Sequence, residues 1–106
     1  MDGSIREAWQ ALMAELDARK RELAQAVRDY PTPIARCDDQ LPGAIALRDA
    51  AAQRVRCATG LEAAREALPP AQWSERVRDF TLALAAGDDA ALERSRRRVL
   101  EALDAG

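Results

Sequence analysis

The chain has 106 residues and a net charge of −2, with 48% hydrophobic residues, two cysteines and no histidine. A length of this order predicts one compact domain, spanning residues 1–106. The near-balanced charge gives the whole molecule no attraction for a polyanion, so nucleic acid is not an expected partner, and without histidine there is no Ser-His or Cys-His dyad.

Composition also sets the fold class. There are 24 alanines and only ten glycines and prolines together, while β-branched and aromatic residues, which favour strands, are scarce. Alanine loses no side-chain entropy in a helix, and Leu, Arg and Glu lose little. The expected class is all-α: an antiparallel helical bundle of about four principal helices plus a short connecting helix. Fifteen arginines against the single Lys20, beside so much alanine, match the coding bias of a GC-rich bacterial genome and carry no functional weight. The longest apolar run is far short of the roughly 20 residues a bilayer requires, and the N-terminus lacks the order of a signal peptide. No membrane partner is expected, and the expected location is the cytoplasm.

Ser4 followed by Glu7 has capping-box spacing and predicts the start of the first helix. From there Ile5, Trp9, Leu12, Leu16, Leu23, Val27 and Tyr30 recur at threes and fours, holding one narrow stripe until Pro31 and Pro33. At 1.5 Å per residue such a helix runs roughly 37 Å, longer than a bundle of this size needs, so one end is expected to protrude or pair. Residues 31–40 form the connection, after which Asp38 or Asp39 can cap a second helix with Pro42 in its first turn. Its main stripe is Leu41, Ala44, Ile45, Ala52 and Val55, and Ala46, Leu47, Ala50 and Cys57 spread apolar surface around it. That pattern predicts a central helix, contacted from more than one side.

Gly60 reads as the end of that helix, and Thr59 with Glu62 as the cap of a short third segment reaching Leu68. Pro69 and Pro70 break the chain, with Pro70 suited to the first turn of a helix striped by Trp73, Val77, Phe80 and Leu84. Gly87 can take the left-handed closing conformation. Asp88 or Asp89 then caps a last helix with Leu92, Val99 and Leu103 inward, making an antiparallel hairpin with the helix before it.

Little of this resembles an active site. The glycines form no phosphate-cradling loop, and the pairs Asp38-Asp39 and Asp88-Asp89 stand where helices need anionic caps, so no cofactor, metal or catalytic residue is expected. Cys37 and Cys57 are expected as free thiols, separated by most of a helix. In the run from Arg94 to Arg98, Arg94, Arg97 and Arg98 face outward, and Glu93 and Glu101 stand four residues either side of Arg97 to pair with it. Trp9 and Trp73 lie on apolar stripes and read as core or interface anchors.

Two functional expectations remain. The first is a protein-interaction module that is a homo-oligomer and has room for a further protein partner, resting on the overlong first helix and the two-sided second one. The alternative is a small-anion or enzymatic site. Arg19, Arg48 and Arg96 interrupt or border apolar stripes, and if their guanidiniums converge they make a site for a carboxylate or phosphate. Otherwise their stems cover apolar surface and their heads reach water, Glu15 or Asp38. A nucleic-acid-binding regulator ranks below both.

Overall fold

The computed structural model describes residues 3–30, 40–84, 87 and 89–105. Those residues form four helices, α1 (Gly3–Arg28), α2 (Gln40–Ala64), α3 (Pro70–Ala83) and α4 (Ala90–Ala105). No strand occurs among them. Pro31, Pro33, Cys37, Asp38, Asp39, Asp88 and the side chain of Leu41 lie outside the described residues.

The four helices close a ring in which α1 packs against α2 and α4, and α3 packs against the same two from the opposite corner. Large side chains decide that arrangement. Trp9, Leu12, Trp73, Val77, Leu92 and Val99 are completely buried, joined by Ile5, Leu16, Leu84 and Leu103. The indole of Trp9 crosses the diagonal to meet Trp73 edge to face at 5.9 Å and Phe80 at 6.0 Å, the geometry that ring quadrupoles favour. Thr81, buried among them, donates its hydroxyl to the Val77 carbonyl one turn back at 2.7 Å, so its polar atom costs little.

The helix ends follow local chemistry at several points. Pro42 falls in the first turn of α2, and Pro70 opens α3, where an absent N–H is no loss. Gly87 has φ +59°, the left-handed conformation between α3 and α4. Asp89 Oδ1 accepts the backbone N–H of Leu92 at 3.0 Å and so caps α4. α1 begins at Gly3, one residue before Ser4.

Two expectations are corrected. The short third segment is not a separate helix: α2 runs through Thr59 and Gly60 to Ala64, followed by a tight turn. Glu62 does not cap a helix start. Its carboxylate accepts the Trp9 indole N–H at 2.7 Å and pairs with Arg65 at 3.0 Å. At the end of α2 the Arg65 N–H bonds the Glu62 carbonyl three residues back, while the Leu61 carbonyl accepts the Trp73 indole N–H at 2.7 Å. Both tryptophans thus fasten the last turns of α2, and these tertiary bonds outweigh the local stop signal of Gly60.

Nor is α2 central. Only Ala51 and Ala58 of its described side chains are buried, whereas α1 buries Ile5, Ala8, Trp9, Leu12 and Leu16. The apolar circumference of α2 is mostly alanine, which forfeits little when left in water, so the bulky stripe of α1 takes the centre.

Gly60 offers a direct check, because it is exposed inside a helix and a Cβ there would meet nothing within 4 Å. Gly60→Ala is expected to stabilise the protein by about 0.5–1 kcal/mol, by restricting the unfolded chain. A urea midpoint that falls would show that Gly60 ends a helix after all.

Candidate interaction surface

The α3–α4 hairpin covers only part of the α1–α2 pair. α3 stops at Ala83 and α4 begins at Ala90, and Asp89 Oδ2 meets the guanidinium of Arg19 at 3.5 Å, marking how far along α1 the hairpin reaches. Before Arg19, α1 carries all of its buried residues; from Lys20 onward it has none. The same holds opposite, where no residue from Pro42 to Ala50 of α2 is buried. Residues 20–28 of α1 and 42–50 of α2 therefore form a two-helix arm, about 14 Å long at 1.5 Å per residue.

The apolar stripes do not stop where the cover does. On α1, Leu23 and Val27 continue the line of Trp9 and Leu16 at spacings of seven and eleven, within about 60° on a helical wheel, and both are half-buried. On α2, Leu47 lies within about 40° of Ala51 and Ala58, the buried residues among the described side chains of that helix, yet it is 55% exposed. Ala44 and Ile45 are half-buried beside α1, while Gly43, Ala46 and Ala50 are exposed. The residues that continue the core stripes along the arm are thus half-buried or exposed rather than buried. The overlong first helix signalled this protrusion; the exposure of Leu47 could not be read, because it depends on where α3 stops.

The three arginines singled out from the stripes have separate partners. Arg19 binds Asp89 at the foot of the arm. Arg48, at mid-arm, lies 3.1 Å from Asp49 of its own helix. Arg96 donates to the Thr81 carbonyl and to Glu93, both at 3.2 Å, and so ties α4 to the end of α3. No two of them share an acceptor among these bonds, and all three residues are half-buried. Arg94, Arg97 and Arg98 are exposed, with Arg97 on Glu93 at 3.0 Å.

A cavity of about 500 Å³ opens at the foot of the arm, lined by Glu15, Ala18, Arg19, Glu22, Gly87, Asp89 and Ala91. Its one cation, Arg19, is engaged with Asp89, and the rest of its lining is carboxylates and small residues, so the lining supplies neither a nucleophile with its base nor a converged cationic site. A shallower cleft of about 320 Å³ separates the start of α1 from the end of α4, lined in part by Glu7, Arg98 and Glu101. Among the described residues no group of three His, Cys, Asp or Glu side chains is placed to hold a metal ion. Cys57 is an exposed free thiol. No helix of the described residues is long and apolar enough to cross a membrane.

Comparison with protein-family models, with curated proteins and with solved structures found no match to this chain.

Proposed function

We propose that the protein is a small helical interaction module that assembles with copies of itself through the open seam of the α1–α2 arm. One observation carries the reading: Leu47 stands on the stripe that is buried at Ala51 and Ala58, yet is left 55% exposed. A large apolar side chain at the end of a core stripe, beside half-buried Leu23, Val27 and Ile45, gains by being covered, at about 25 cal/mol per Å² removed from water. The chain has no histidine to serve as base, and its stripe arginines are engaged with acceptors of their own, which favours assembly over catalysis. A further protein partner would use the assembled bundle as a scaffold.

Association of folded copies stabilises the fold by mass action, so the thermal midpoint of the wild type is expected to rise with protein concentration. Leu47→Asp places a carboxylate in the seam and should abolish that dependence while leaving the dilute midpoint within a few degrees, since position 47 is exposed in the single chain. A wild-type midpoint independent of concentration, or one whose dependence survives in Leu47→Asp, would refute the proposal.

A further inference from the structure

We draw no further inference here: the strongest candidate, the cavity of about 500 Å³ at the foot of the arm lined in part by Glu15, Arg19, Glu22 and Asp89, carries nothing, because Arg19 and Asp89 hold each other at 3.5 Å and the remaining carboxylates form an acidic cluster with nothing beside them that points to a ligand.

Discussion

Trp9→Ala is expected to lower stability by about 3–5 kcal/mol, the range for a truncated core tryptophan, and so to leave little of the about 5–15 kcal/mol a domain of this size can hold. Trp9 is completely buried and reaches two other helices: its ring meets Trp73 and Phe80 of α3 across the diagonal, and its N–H satisfies Glu62 on α2. Truncation removes the contact that joins α1 to α3, and leaves the Glu62 carboxylate with Arg65 as its remaining partner. Trp9→Phe separates the two contributions. It keeps most of the packing and should cost about 1–3 kcal/mol, the penalty for losing the donor to a partly buried carboxylate. Urea unfolding followed by far-UV dichroism measures both; a loss below about 1 kcal/mol for the alanine variant would mean the ring is not in the core.

The second large effect compares two leucines on one stripe. Leu16 is 3% exposed, below the level where Arg19 meets Asp89, and Leu16→Ala should cost about 2–5 kcal/mol at any protein concentration. Leu23, seven residues on along the same stripe, is only half-buried on the arm, and Leu23→Ala should cost about 1 kcal/mol in dilute solution, about half the transfer energy of a fully buried leucine. As concentration rises the cost at position 23 should grow, because association through the arm buries it. Equal costs for the two leucines in dilute solution would show that the arm is covered within one chain, and that the seam is not open.

Leu16 and Leu23 also show what could be read from sequence. The stripe of α1 is visible because large apolar residues recur at the helical period, and the same signal located the buried faces of α3 and α4. Capping chemistry was local enough to read at Asp89 and Pro70, and the left-handed turn at Gly87 likewise. Gly60 misled because its weak local preference for ending a helix was overruled by bonds from Trp9 and Trp73, which arrive from 53 and 12 residues away. α2 misled for a different reason: periodicity records where apolar residues stand but not how much area each would bury, and alanine buries little. At the candidate surface, sequence showed a first helix too long for its bundle. It could not show which face stays open, since that is set by the length of α3 and by the pairing of Arg19 with Asp89.

The central claim, that the open arm seam joins copies of this chain, is tested most directly by sedimentation equilibrium of the wild type and Leu47→Asp from low micromolar to near-millimolar concentration. The wild type should move from the 11.6 kDa of one chain toward twice that mass as concentration rises, while Leu47→Asp stays at the mass of one chain throughout. A wild type that remains a single species of 11.6 kDa across the whole range, or a Leu47→Asp variant that associates as the wild type does, would contradict it.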